Sequence, residues 1–298
     1  MLKAHDETGS VYVGRFAPSP TGPLHFGSAV TAIGSYLCAR AAGGRWHLRI
    51  DDIDPAREFP AAHGAILRTL ARLGLEWDGP VSSQSTRRAQ HQAAVDALLE
   101  KGAAYRCTCS RQKVAGTRYP GTCRTQQPAA NVRHAVRVLV PAGLVGVRDR
   151  IQGEYAHDVQ GTFGDFVIWR VGDLPAYHLA TVLDDAALGV TEVVRGADLL
   201  DSTPRQRILQ SALDLPTPAY AHLPLALDRQ GFKLSKQTGA AALDDSPATA
   251  IVSAALSFLG HAPPRELAGA EVAELLDWAR QHWQLSRVPP QVSGAVVR

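Results

Sequence analysis

The sequence predicts an α/β protein built on a parallel sheet, interrupted by an inserted sheet-rich subdomain and closed by a short helical region. Three observations carry this. A strand, helix, strand pattern fills residues 11–50, the unit whose two strands lie parallel. From about Tyr105 clustered cysteines and turn residues replace helical periodicity. Helix and strand patterns resume near Tyr177 and give way to helices alone.

The first strand is VYVGRF at 11–16, alternating and β-branched. A Pro/Gly-rich loop follows around His25, and Ser28 is placed to cap the next helix. Val30, Ile33, Leu37 and Ala41 keep helical spacing there until Gly43 and Gly44 stop it. Residues 46–50 make the second strand, and helices are expected around 66–73 and 90–100. In the insert, 135–140 and 166–171 alternate like strands. A helix near Tyr177, a strand at 191–195 and a helix through Leu213, with Thr203 as N-cap and Pro204 in its first turn, complete the α/β pattern. After a loop around Lys233, Ser246 and Pro247 start a helix with Ile251, Ala255 and Phe258 on one face. Val272, Leu275, Leu276 and Trp283 mark another. The expected boundaries are 1–104 and 176–240 for the two halves of the α/β domain, 105–175 for the insert and 241–298 for the helical region.

A chain of 298 residues, 45% hydrophobic and 20% charged, can bury a large core and matches neither disorder, collagen nor a small disulfide scaffold. The polar start MLKAHDETGS and the lack of an apolar run of roughly 18 residues predict neither signal peptide nor membrane anchor, hence a cytoplasmic protein. A net charge of +3 gives no general nucleic-acid coat, so a polyanion must meet a local patch.

Two segments point to phosphate chemistry. In PSPTGPLHFGS at 18–28, glycines allow close backbone approach, the helix N-terminus favours an anion and the His25 imidazole can donate to a phosphate oxygen. An ordinary turn is the plain alternative. In FKLSKQ at 232–237, Lys233 and Lys236 are two of only five lysines among 31 basic residues. A compact ammonium can follow migrating charge, whereas Arg favours fixed bidentate geometry. A solvated loop is the alternative there.

Cys107, Cys109 and Cys123 form an odd cluster that suits a metal better than disulfides. Three thiolates and one further donor complete a tetrahedral zinc site, with His134 a common type of fourth ligand; reduced cysteines without metal are the alternative. Cys38 reads as a small buried residue. Asp51, Asp52 and Asp54 resemble a metal cluster and equally a charged loop beside Arg49 and Arg57. Asp184 and Asp185 read as polarity at a sheet end rather than catalysis, and Arg87 and Arg88 as a solvated helix start, with phosphate contact the alternative.

In this order and on these elements, HFGS at 25–28 and KLSK at 233–236 resemble the paired HIGH and KMSKS signatures of class I aminoacyl-tRNA synthetases. Ser at the fourth position of the first suits the glutamyl branch. GRFAPSPTG at 14–22 with LRIDDID at 48–54 looks like the glutamyl-tRNA synthetase pattern. The resemblance covers residues 11–240, and the sequence ends soon after KLSK, which resembles the short glutamyl-queuosine tRNA(Asp) synthetase family. That family activates glutamate with ATP, without needing tRNA, and transfers it to the cyclopentenediol of queuosine at the wobble position of tRNA(Asp).

The resemblance implies a Rossmann-type catalytic domain with an inserted zinc-containing, acceptor-type subdomain, no anticodon-binding domain, and a monomer. Glutamate would be held by the stretch Arg15, Phe16, Ala17, Pro18 and Ser19, with Asp51, Tyr177 and Arg195. Asp51 stands where the family usually has Glu, one methylene longer. ATP would meet His25, Gly27, Ser28 and Lys236, with Mg²⁺ held by phosphate oxygens and water; His25, Lys233 and Lys236 would carry catalysis. A Tyr oxygen can be the fourth zinc ligand in this family, which places Tyr119 beside Cys107, Cys109 and Cys123 and in competition with His134. The rivals are a minimal glutamyl-tRNA synthetase charging a 3′ end, a nucleotidyltransferase of the same fold, and a non-enzymatic RNA-binding relative.

Overall fold

The computed structural model describes residues 11–110, 114, 118–126, 128–129, 131–226, 243 and 246–290. The loop carrying Lys233 and Lys236 lies outside them. Strand β1 (Val13–Phe16) leads through the Pro/Gly loop into helix α1 (Phe26–Ala41) and strand β2 (Arg45–Ile50), which pairs parallel to β1 with Gly14 opposite Trp46. The cap of α1 differs from the expected one. His25 is the N-cap, and its Nδ1 accepts the Ser28 backbone N–H at 3.3 Å, so Ser28 lies inside the first turn. At the other end Gly43 adopts φ +65°, which an L side chain resists, and the chain reverses into β2.

Helix α2 (Ala62–Arg72), the two-residue strand β3 (Ser82–Ser83) parallel to β2, and helix α3 (Arg88–Glu100) complete the first half. Strands β4 (Ala104–Cys107), β5 (Ala135–Val138), β8 (Val167–Arg170) and β9 (Leu174–Pro175) then form an antiparallel sheet. Between β5 and β8 the chain makes the hairpin β6 (Val145–Asp149) and β7 (Gly153–His157), then the single-turn helix α4 (Val159–Thr162). This hairpin was not visible in the sequence pattern. It joins a different sheet, pairing parallel at Asp149 with Tyr220 of strand β11 (Ala219–Leu223).

Helix α5 (Tyr177–Ala187), strand β10 (Glu192–Gly196) and helix α6 (Ser202–Ala212) precede β11, which pairs parallel to β10. Strand β10 lies beside β1, where the Thr191 N–H donates to the Val13 carbonyl at 2.9 Å. Thr203 does not cap α6. It sits inside the helix, and its buried hydroxyl accepts from Arg195 instead. Helices α7 (Ala248–Phe258) and α8 (Val272–His282) pack on the outside of α1.

Two cores result. Ile33 and Leu37 of α1 lie between Trp46, Leu48 and Ile50 of the sheet and Val252, Leu256 and Leu259 around α7, all buried; each such side chain contributes about 1.5–3 kcal/mol. The Trp46 indole N–H donates to buried Ser35 on α1 at 3.0 Å, so even its polar atom is satisfied. The second core joins Val95 and Leu98 of α3 with Val136 and Val138 of β5, Ile168 of β8, Leu179 of α5 and Leu209 of α6. Among the described residues no helix is long and apolar enough to cross a membrane.

Candidate active site and metal centre

A cleft of about 420 Å³ opens where β1, β2 and β10 end, at the N-termini of α1 and α5. Open parallel sheets offer ligands this position because loops leave the strand ends there and helix N-termini point into it. The cleft is lined by Arg15, Phe16, Ala17, Pro18, Ser19 and Asp51, by His25, Gly27 and Ser28, and by Tyr177 and Arg195. The two sets that the resemblance assigns to glutamate and to ATP, in their described members, therefore share one cavity. Lys233 and Lys236 lie outside the described residues.

Arg15 is 4% exposed. Its Nε donates to Asp185 at 3.1 Å and its Nη1 to the Val194 carbonyl at 3.3 Å. Asp185 also accepts from Arg49 Nη1 at 2.6 Å, and Arg49 Nε donates to Asp51 at 2.7 Å. Four buried charges thus alternate in sign from Arg15 to Asp51, the arrangement that offsets desolvation. Burial raises the Asp185 carboxyl, yet Arg15 and Arg49 outweigh it and hold Asp185 below the usual carboxylate range. At Asp51 burial prevails over Arg49, and its carboxyl is raised.

Asp184 and Asp185 are therefore not sheet-end polarity. They lie buried on α5, where Asp184 accepts from Gln84, Arg87 and His91 at 2.7 to 2.9 Å. Arg87 is half-buried and ion-paired to the buried Asp184 rather than lying on a solvated face, whereas exposed Arg88 pairs with Asp173. Composition gave no sign of these partners, which are up to 170 residues apart in sequence.

His25 is fixed by its cap. An imidazole nitrogen that accepts an N–H carries no proton, so the His25 proton is on Nε2, the tautomer able to donate to an anion at the α1 N-terminus. Across the cleft, Arg195 donates through Nε to His222 Nε2 at 3.0 Å and through Nη2 to Thr203 at 2.8 Å. Its buried Nη1 has no partner among the described residues. Asp198 also lines the cleft, in the RGADLL segment that begins at the end of β10. It went unnoticed because a lone acid beside Arg has no spacing signal.

The second constellation lies in the insert. The sulfurs of Cys107, Cys109 and Cys123 are within 4.8 Å of one another. Four ligands about 2.3 Å from a tetrahedral zinc stand about 3.8 Å apart, and the Cys109–Cys123 separation is 3.6 Å. The Tyr119 oxygen is 3.4 Å from the Cys107 sulfur and 3.9 Å from that of Cys109. His134 stands apart from this group, with Nδ1 against the Val132 carbonyl at 2.6 Å. Arg137 brings a positive charge to the cluster, donating to the Cys107 sulfur at 3.3 Å with its guanidinium 3.8 Å from the Tyr119 ring centre. Burial pushes the Cys123 thiol up, but the Thr108 amide, the Tyr119 hydroxyl and the other thiols outweigh it and bring it to about 7. This donor set fits a soft, thiophilic cation. Cys38, by contrast, is isolated on α1, and burial pushes its thiol up to about 12.

Residues 11–251 match the family described as tRNA synthetases class I (E and Q), catalytic domain, and the chain belongs to that family. It is 52% identical over 285 residues to the Glutamyl-Q tRNA(Asp) synthetase of Thiobacillus denitrificans, covering 93% of this chain and 95% of that one. The protein of the same name from Pseudomonas aeruginosa is 50% identical over 94% of this chain and 96% of its own. Among solved structures, the glutamate tRNA ligase of Elizabethkingia meningosepticum, in complex with its amino acid, superposes with a TM-score of 0.81 at 24% identity. That match covers 95% of this chain, which spans 66% of the ligase, and it shows the shared fold.

Proposed function

We propose that the chain is a cytoplasmic, monomeric enzyme that activates L-glutamate with ATP as glutamyl adenylate and transfers the glutamyl group to queuosine in tRNA(Asp). The name shared by relatives about half identical over nearly their whole length supports this choice of acceptor. The observation that carries the activation step is the cleft. It brings two buried arginines, suited to a carboxylate, together with a helix N-terminus capped by an Nε2-protonated histidine, suited to phosphates.

In the first step the glutamate α-carboxylate attacks the α-phosphorus, a carboxylate O–P bond forms, and the bond to pyrophosphate breaks. No protein nucleophile is needed, so the rate comes from positioning and charge stabilisation. Arg15 and Arg195 hold the carboxylates, with Tyr177 and the 16–19 stretch closing around the side chain. Asp51 has Arg49 on its carboxylate but retains acceptor capacity for the substrate ammonium. His25 and the amides around Gly27 and Ser28 receive the phosphates, and Lys233 and Lys236 neutralise the leaving pyrophosphate. Mg²⁺ accompanying ATP supplies further neutralisation. In the second step a hydroxyl of the queuosine cyclopentenediol attacks the glutamyl carbonyl and AMP leaves.

Cys107, Cys109, Cys123 and Tyr119 would hold a structural zinc ion that fixes the insert, the part that would meet the RNA. The activation step is tested by glutamate-dependent exchange of label between pyrophosphate and ATP without RNA. Exchange with glutamate and not with aspartate or glutamine is the expected result. No exchange with any of the three would remove the reading.

A further inference from the structure

Arg15 and Arg195 line the same cleft but are oriented by opposite chemistry. Arg15 is turned by a carboxylate, Asp185, which also neutralises part of its charge. Arg195 forms no ion pair among the described residues. Its Nε points at an imidazole, His222, buried at 0% exposure. Arg has no acceptor atom, so His222 Nε2 must carry a lone pair. The opposite nitrogen, Nδ1, lies 2.6 Å from Asp149 Oδ2, and an ionised carboxylate can only accept, so Nδ1 carries the proton.

Asp149 is itself over-determined. Its Oδ1 accepts the amides of Ile151 at 3.0 Å, Gln152 at 2.8 Å and His222 at 3.2 Å. The His222 ring also stacks on Tyr220, with centroids 6.2 Å apart and 9° between planes. The Thr203 hydroxyl touches both His222 Nε2, at 3.3 Å, and Arg195 Nη2. The guanidinium is thereby gripped on Nε and Nη2 by neutral groups, while buried Nη1 is left without a partner.

We propose that the buried pair Asp149–His222 positions Arg195 for glutamate: a neutral imidazole, locked as its Nδ1–H tautomer, orients the guanidinium without neutralising it and leaves Nη1 for a substrate carboxylate. A carboxylate in the place of His222 would compete with the substrate for the same charge. A neutral acceptor fixes direction and leaves the attraction intact, so less ordering remains to be done on binding. The inference rests on Arg195 being a glutamate contact, as proposed above.

The test is Asp149→Asn, nearly isosteric. The Asn oxygen keeps the three backbone amides and its NH₂ faces His222 Nδ1. That drives the proton to Nε2, where it opposes the Arg195 Nε–H, the tautomer change that an Asp-to-Asn substitution causes beside a catalytic histidine. In glutamate-dependent pyrophosphate exchange, KM for glutamate is expected to rise about tenfold with kcat within about twofold, the mark of lost binding common to ground and transition states. Adding His222→Gln, whose amide oxygen can accept from Arg195 whatever stands at 149, is expected to recover much of the KM. Melting curves and long-range ¹⁵N spectra of the histidines check the fold and the tautomer.

Arg195→Gln is measured alongside. If it leaves glutamate KM at the parental value, the site reading itself fails. If it raises KM while Asp149→Asn does not, or if Asp149→Asn lowers kcat at parental KM, the positioning role alone is overturned and the pair is only a structural tie.

Discussion

His25 accepts the Ser28 amide through Nδ1, and the same bond puts its proton on Nε2, so capping and phosphate contact can be separated. Asn at position 25 keeps a side-chain acceptor for the helix but has no atom at Nε2. His25→Asn is expected to melt within a few degrees of the parent and to lose exchange activity by about a hundredfold. His25→Ala is expected to lose the same activity and about 1 kcal/mol of stability as well. Equal melting of both variants well below the parent, with activity retained in His25→Asn, would contradict this division. The cleft segments 15–19 and 25–28 were legible through the contiguous motifs that carry the family resemblance, and Asp51, Tyr177 and Arg195 were assigned to glutamate through the same resemblance. Arg49, Asp185, Asp149 and His222 were not. Each acts through a partner brought close only by the fold, as with Arg49 and Asp185, 136 residues apart, and no local spacing announces such a pair. His25 was read as a phosphate donor but not as the cap, because Ser is the commoner capping residue and its backbone, not its hydroxyl, turned out to be used.

At the level of elements, the turn between α1 and β2 and the cysteine loop carry distinct loads. A Cβ on Gly43 meets nothing within 4 Å, so Gly43→Ala costs only its left-handed backbone, about 1 kcal/mol. A Cβ on Gly44 would stand 2.3 Å from the Tyr12 carbonyl oxygen, and backbone must move. Gly44→Ala is expected to cost about 1–3 kcal/mol and to be the more damaging of the two by urea unfolding; the reverse order would show that β2 is free to shift. In the cysteine loop, metal analysis of the purified protein is expected to find about one zinc. Tyr119→Phe should lower its retention against a chelator, and His134→Ala should not, since His134 stands apart from the sulfurs. Absence of zinc in protein made with zinc present would remove the site. Strands with β-branched alternation, β1, β5 and β8, were legible. The β6–β7 hairpin was not, because half of its strand residues are exposed and glycine interrupts β6 and opens β7, nor β11, whose AYAHL lacks β-branched residues and is held by its neighbours instead.

On the scale of the whole molecule, buried histidines make the fold acid-sensitive in a window of their own. Burial, with Arg205 and Arg195 nearby, pushes His178 down to about 3, and its buried Nε2 has no partner among the described residues. An unfolded histidine takes a proton near pH 6.5, so the unfolded state binds more protons than the native one between about 6.5 and 3. Stability is therefore full above about pH 6.5 and falls as pH drops through that window. His222 and His261 are shifted in the same direction, chiefly by burial. The carboxylates Asp149, Asp165 and Asp185, all lowered, add their own loss only below their unfolded value of 3.8. Urea unfolding of His178→Gln is expected to show a shallower loss between pH 6.5 and 4 than the parent, and parallel curves would exclude His178 as a contributor. The central claim, however, concerns the acceptor. Its most direct measurement supplies labelled glutamate and ATP with queuosine-containing tRNA(Asp), queuosine-free tRNA(Asp) and tRNA(Glu). Label on the queuosine-containing tRNA(Asp) alone is the expected result. Efficient labelling of tRNA(Glu) at its 3′ end would contradict it and assign the chain to the synthetases that charge that end.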